Sequence, residues 1–138
     1  MSFFWLFLYV CWLPAAVLKT PDKYSFYYLN AAETTLEREA YEPKEESADF
    51  MVRELMQSIG NRKVPEDGIA LLPEEVILNS YDFQDDVLVI DFSAQYHEMS
   101  RAREVLTRAG IVKTFLQVPD IHRVRFTVEG QELTDSRN

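Results

Sequence analysis

Residues 76–92 read VILNSYDFQDDVLVIDF, two apolar runs separated by a short polar segment. The first run ends at Phe83, the letters QDD follow, and the second run begins at Val87. This pattern is typical of a β-hairpin with a polar turn. The second run is apolar on both faces as far as Ile90, which predicts a central strand. We therefore expect the fold to be built around this hairpin.

A helix is predicted before the hairpin. Ser47 is a suitable N-cap, Asp49 lies in the first turn, and Gly60 ends the pattern. Four apolar residues between them follow helical spacing: Val52, Leu55, Met56 and Ile59. This helix should cover the hairpin with a single apolar face.

A second, longer helix is predicted after the hairpin, with Ser100 as its N-cap and Pro119 beyond its end. Gly110 should weaken it by roughly 1 kcal/mol relative to Ala, unless close packing needs the missing side chain. The predicted core-facing stripe consists of Ala102, Val105, Leu106, Ala109, Val112 and Leu116.

Three further strands are predicted at the two ends of the folded part. Residues 24–30 are rich in aromatic side chains, residues 35–41 pair back on them, and residues 121–128 alternate apolar with polar. Residues 61–67 are polar, and with Pro65 and Gly68 they predict a loop across the surface over residues 61–72. The order of elements predicts an α/β (α+β) fold, a two-layer domain with a mixed β-sheet and two helices packed on one face.

Residues 1–20 are predicted to be a hydrophobic signal or membrane-anchor segment, ahead of a folded domain at 23–138. No charged side chain precedes Lys19, but the run is short for the ~30 Å hydrocarbon core and contains Pro14. Cys11 follows a leucine at lipobox spacing and is a candidate lipidation site, although Val10 stands where a small residue is usual. A cleaved signal, a lipidated segment and a retained anchor all stay open, each implying contact with a membrane.

Charge and cysteine content exclude several classes of partner and scaffold. All 14 Lys and Arg and all 23 Asp and Glu lie at or beyond Lys19, so the net charge of −9 belongs to the folded part. An acidic domain is a poor match for a phosphate backbone, and we expect no nucleic-acid partner. With Cys11 as the only cysteine, an intradomain disulfide framework is impossible.

No pattern of residues predicts catalysis, a metal or another cofactor. His97 and His122 lack a second histidine at ligand spacing, and Asp85, Asp86, Glu45 and Glu46 are explained by turn and helix-start chemistry. A hydrolytic site of His97, Asp91 and Ser93 is the enzymatic alternative. The candidate interaction surface consists of Tyr24, Phe26, Tyr27 and Tyr28, for which core packing is the competing explanation.

Several short sequence motifs, and the order in which they occur along the chain, resemble those of the GerMN domain family of sporulation and spore-germination envelope proteins. They are FYYLN at 26–30, VIDFS at 89–93, AGIVKTFL at 109–116 and IHRV at 121–124, followed by VEG at 128–130. Phe115 stands where the family pattern has leucine. The resemblance covers about residues 24–135, and relatives that continue further imply a C-terminus truncated at Asn138.

What the resemblance implies is a non-catalytic, extracytoplasmic binding or scaffold module, similar in fold to ring-building motif domains. Its implied partners are other envelope proteins, with self-association into oligomers as one form of assembly. The alternative is a module that binds cell-wall (peptidoglycan) fragments during wall remodelling, with aromatic residues of the first strand stacking on sugar rings.

Overall fold

A computed structural model describes residues 23–133 of the protein. The predicted leader at 1–20 and Cys11 lie outside the described residues, and both predictions stay open. The elements in chain order are β1 (Tyr24–Leu29), β2 (Leu36–Tyr41), α1 (Ala48–Gly60), β3 (Leu78–Gln84), β4 (Val87–Phe92), a 3₁₀ helix (Ala94–Glu98), α2 (Arg101–Leu116), β5 (Arg123–Val128) and β6 (Gln131–Glu132).

The predicted α+β fold is confirmed, with the described strands arranged in two sheets. β3, β4, β5 and β6 form a mixed four-stranded sheet in that order, in which β4 pairs antiparallel with β3 and parallel with β5. β1 and β2 form a separate antiparallel hairpin, and Leu29 at the end of β1 also makes an isolated antiparallel bridge with Ile69. The strand β4 is central, as its two-sided apolar pattern predicts.

The four-stranded sheet has one covered face and one open face. Leu88, Ile90 and Phe92 of β4 are buried together with Phe126 and Val128 of β5. The residues between them point the other way and are half-buried or exposed, including Arg123 and Arg125. The inward and outward positions predicted for β5 are therefore confirmed.

Helix α1 packs as its sequence predicts. The hydroxyl oxygen of Ser47 accepts a hydrogen bond from the Phe50 amide at 3.3 Å, which satisfies one of the free N–H groups of the first turn. All four predicted core residues of this helix are buried, and Met51 joins them. One apolar face thus accounts for the position of α1.

Helix α2 buries a different face from the predicted one, and that prediction is wrong. Ala102, Val105 and Leu116 of the predicted stripe are exposed, and Leu106, Ala109 and Val112 are only half-buried. The buried face consists of Thr107, Gly110, Ile111, Thr114 and Phe115. Its two threonines and its glycine do not count as apolar in a hydropathy pattern, which is why the stripe prediction chose the opposite side.

The hydroxyl of each buried threonine of α2 donates a hydrogen bond to a backbone carbonyl oxygen, so both can lie in the core at little cost. Thr107 donates to the carbonyl oxygen of Leu71 at 2.7 Å, and Thr114 donates to the Gly110 carbonyl oxygen at 2.7 Å. A Cβ atom added at Gly110 would clash with Cδ2 of Leu71. Close packing against Leu71 therefore explains why residue 110 is a glycine, which is the exception that the sequence analysis allowed.

The segment between α1 and β3 does more than cross the surface, which corrects the loop prediction. Leu71, Leu72 and Val76 are buried in the core shared by both helices. The guanidinium of Arg62 donates to the Val76 carbonyl oxygen at 2.6 Å, and that of Arg103 donates to the Ala70 carbonyl oxygen at 2.7 Å. Two arginines thus supply the hydrogen bonds that this irregular backbone cannot make with itself.

Candidate functional site

The carboxylate of Asp91, near the end of β4, accepts hydrogen bonds from β3, from β5 and from the turn after β5. Its Oδ1 accepts hydrogen bonds from the Thr127 hydroxyl at 2.5 Å and from the Gly130 amide at 2.7 Å. Its Oδ2 accepts from the Asn79 side-chain amide at 3.0 Å. These bonds, the one from Thr127 first, lower the pKa of Asp91 below its ordinary value. The carboxylate therefore works as a structural acceptor that joins β3, β4 and β5.

Ser93 is also committed to backbone structure. Its hydroxyl oxygen accepts from the Ile77 amide at 2.9 Å, and its own amide donates to the Ile77 carbonyl oxygen at 2.8 Å. The side chain is buried. The motif VIDFS thus contains two polar residues whose hydrogen bonds hold the end of β4 in place.

The turn between β5 and β6 closes this arrangement. Glu129 and Gly130 both have positive φ angles, 50° and 80°, as the two central residues of a type I′ hairpin turn require. The Glu129 amide donates to the Phe92 carbonyl oxygen at 3.0 Å, and its carboxylate accepts from the Ala94 amide at 3.2 Å. The motif VEG at 128–130 therefore forms a turn that is hydrogen-bonded to the end of β4.

Beside this turn lies a cleft of about 550 Å³ between the 3₁₀ helix, the start of α2 and β6. Its wall is polar on the helix side, where His97 and Arg101 are exposed. Met99 and Leu133 contribute the apolar part. The remaining lining residues are Tyr96, Glu104, Arg108, Gln131 and Glu132.

The inner wall of the cleft is a hydrogen-bonded triad of side chains. The Tyr96 hydroxyl donates to Oε1 of Glu104 at 2.8 Å, and Nε of Arg108 donates to the same oxygen at 2.7 Å. The Arg108 guanidinium also lies 5.7 Å from the ring centroid of Phe126. Burial, then the bond to Glu104, raises the pKa of Tyr96, so it stays a neutral donor at neutral pH. These bonds hold the three side chains of this wall in a fixed arrangement relative to one another.

The residues of the enzymatic alternative do not form a catalytic arrangement in the described part of the chain. Asp91 and Ser93 make the structural bonds given above, and no hydrogen bond within residues 23–133 joins either of them to His97. His122 lies 3.7 Å from the Asp86 carboxylate at the opposite end of β4. Asp91 and Ser93 therefore serve local structural roles at the end of β4.

The aromatic residues of β1 divide between core and surface. Tyr24 and Phe26 are buried in the core, so they are not available as a contact surface. Tyr27 and Tyr28 are half-buried. The Lys113 ammonium of α2 lies 5.9 Å from the Tyr27 ring centroid, and Tyr28 packs over Gly68. The prediction of an interaction surface therefore rests on Tyr27 and Tyr28 alone.

The sequence analysis did not predict the cleft, although one ion pair in its wall has a spacing that could have been recognised. Glu104 and Arg108 have the i,i+4 spacing of a helical ion pair, and their charged atoms lie 2.5 Å apart. The contributions of Gln131 and Leu133 come from a hairpin more than 20 residues away along the chain, and no local pattern predicts that approach. Within residues 23–133, no group of three His, Cys, Asp or Glu residues is arranged to hold a metal ion.

None of the helices described between residues 23 and 133 is long and apolar enough to cross a membrane.

Solved structures share the fold. The first GerMN domain of the sporulation protein GerM from Bacillus subtilis matches with a TM-score of 0.59 at 17% identity, over 80% of this chain and 84% of that one. The tandem GerMN domains of GerM give the same TM-score and identity, over 81% of this chain and 40% of the tandem chain. This chain therefore spans less than half of the tandem structure.

A candidate lipoprotein from Clostridium perfringens has a TM-score of 0.51 at 25% identity, over 79% of this chain and 75% of that chain. No curated protein sequence matches significantly. The family model Germane, described as sporulation and spore germination, matches residues 25–134, which include every described helix and strand except the first residue of β1. The chain therefore belongs to the Germane sporulation and spore germination family, and its fold is that of a GerMN domain.

Proposed function

We propose that the protein is a non-catalytic binding module of the bacterial cell envelope that acts in sporulation or spore germination. The observation that carries this proposal is that Asp91 and Ser93 make structural hydrogen bonds at the end of β4. Asp91 and Ser93 are occupied by structural hydrogen bonds, and Tyr96, Glu104 and Arg108 bond to one another in the wall of the cleft, which leaves a surface suited to binding.

An envelope location is supported by the resemblance of the chain to a sporulation protein and to a candidate lipoprotein. The apolar run that precedes Lys19 supports the same location, since such a run directs a chain to a membrane. The family membership supports the role in sporulation or germination.

Deletion of the gene in its spore-forming host tests this proposal. We expect fewer heat-resistant spores or slower germination, restored by the full chain supplied in trans. Spores that form and germinate at the wild-type rate after deletion would remove the proposed role.

The cleft favours a second candidate function, binding of peptidoglycan fragments. Arg101 and His97 can receive a carboxylate of a wall peptide, while Met99 and Leu133 can pack against its apolar part. Titration of the full chain with a purified muropeptide, followed by isothermal calorimetry, tests this candidate. Binding that weakens at least tenfold in Arg101→Ala would support it, and no heat of binding would remove it.

A further inference from the structure

Helix α2 carries a second apolar face that points away from the core. Val105 is 56% exposed and Leu116 is 45% exposed, and both lie on the side of the helix opposite its buried face. Three exposed and two half-buried residues on this face follow a strict 3-4-3-4 spacing: Ala102, Val105 and Leu116 are exposed, and Ala109 and Val112 are half-buried. We call this set the α2 seam.

The spacing of the α2 seam is that of the a and d positions of a coiled coil. The seam runs from residue 102 to residue 116, and fourteen helical steps of about 1.5 Å each give it a length of about 21 Å. Small residues at 102 and 109 alternate with branched ones, which lets a second helix approach closely. The geometry suits a helix as the occupant better than an extended strand.

The charges beside the α2 seam indicate the chemistry of that occupant. Arg101 borders one side and Lys113 the other, and neither forms an ion pair with any residue among 23–133. Arg108, on the same side as Arg101, is already paired with Glu104. Both borders are thus basic in a chain whose net charge is −9. A second copy of α2 would bring basic borders against each other, which disfavours self-pairing through this face.

We propose that the α2 seam is a docking surface for an amphipathic helix of a partner protein, with apolar residues at a and d and acidic residues beside them. Tyr27, next to Lys113, extends the edge of this surface toward β1. The proposal rests on the proposed binding function and adds the kind of partner that the module receives.

The probe for this proposal is a synthetic three-heptad peptide with Leu at a and d and Glu at e and g. A matched peptide has Lys in place of every Glu. Fluorescence anisotropy with the full chain in mild detergent should give at least tenfold tighter binding of the Glu peptide, weakening as salt rises. Arg101→Glu combined with Lys113→Glu should reverse the preference.

Variants separate the α2 seam from apolar exposure in general. Val105→Asp should weaken binding of the Glu peptide at least tenfold, whereas Ile77→Asp, at a residue 61% exposed and outside α2, should leave it unchanged. Unchanged thermal unfolding by circular dichroism establishes that both variants fold.

Three results would overturn the proposal. The first is equal affinity for the two peptides, or no binding of either. The second is a concentration-dependent dimer, seen by sedimentation and lost in Val105→Asp, which would assign the surface to a second copy. The third is release of the peptide by phosphatidylglycerol vesicles but not by phosphatidylcholine vesicles, which would assign it to a lipid surface. Binding that persists while deletion leaves sporulation normal would reject the proposed role and keep the docking surface.

Discussion

The two helices of this domain differ in how their sequences encode burial. Helix α1 has one apolar face, and that face is buried. Helix α2 has an apolar face that is exposed or half-buried and a mixed face of threonine, glycine, isoleucine and phenylalanine that is buried. Hydropathy therefore locates the core side of α1 correctly and that of α2 wrongly. A helix with two candidate faces needs hydrogen-bonding capacity and side-chain size as well as hydropathy to assign its buried side.

The sharpest test of this difference uses two neighbouring residues of α2. Phe115 is fully buried and Leu116 is 45% exposed. Phe115→Ala should lower the free energy of unfolding by about 3–5 kcal/mol, because it opens a cavity in the core. Leu116→Ala should change it by less than about 1 kcal/mol. Urea denaturation of both variants measures the two values, and comparable losses would mean that α2 buries the predicted stripe after all.

The second test uses one glycine in each helix. Gly110→Ala should destabilise the domain by about 1–3 kcal/mol, because the added Cβ would press on the buried Leu71 side chain. Gly60→Ala, at the end of α1, meets no atom within 4 Å and should stabilise by up to about 1 kcal/mol through helix propensity. Thermal unfolding should move in opposite directions for the two variants. A gain in stability for Gly110→Ala would contradict the close packing of α2.

The third test asks whether the helix ends are equivalent although the faces are not. Ser47 and Ser100 each accept a hydrogen bond from a first-turn amide, at 3.3 and 3.2 Å. Ser47→Ala and Ser100→Ala should each cost about 1 kcal/mol, measured by urea denaturation. The matching Ser→Asp variants should retain most of the stability. A loss confined to one helix would show that only that cap contributes.

Local sequence patterns predicted the elements well because each element carries its own periodicity and end signals. The hairpin of β3 and β4, the cap residues Ser47 and Ser100 and the alternation in β5 were all confirmed. Phe115, the departure from the family pattern, lies in the centre of the core. These features depend on residues within about ten positions of one another.

Features that depend on distant contacts were not predicted. The burial of Leu71 depends on Thr107 and Arg103, which satisfy the carbonyl oxygens of its loop from more than 30 residues away. The separation of β1 and β2 into their own sheet and the approach of β6 to the cleft are of the same kind. Such contacts are set by the shape of the whole core, and no local period records them.

A final and smaller difference between the helices should appear at alkaline pH. Each helix has a glutamate that accepts a hydrogen bond from a tyrosine hydroxyl. In α1 the Tyr41 hydroxyl donates to Glu54 at 2.5 Å, and in α2 the Tyr96 hydroxyl donates to Glu104 at 2.8 Å. Burial, then the bond to the glutamate, raises the pKa of both tyrosines above the ordinary value of about 10.

Above pH 10 the unfolded tyrosines lose their protons while the folded ones keep theirs, so the free energy of unfolding must fall as pH rises. One fully linked proton gives about 1.4 kcal/mol per pH unit, and the half-buried Tyr41 should contribute a smaller fraction of that than the fully buried Tyr96. Urea denaturation at pH 8 to 11 should therefore show a shallower alkaline loss in Tyr96→Phe than in Tyr41→Phe. Lysines titrate in the same range in every variant, so their effect cancels in the comparison. The same slope in both variants would mean that the two tyrosine–glutamate bonds are equally exposed to solvent, and that the helices differ in their faces alone.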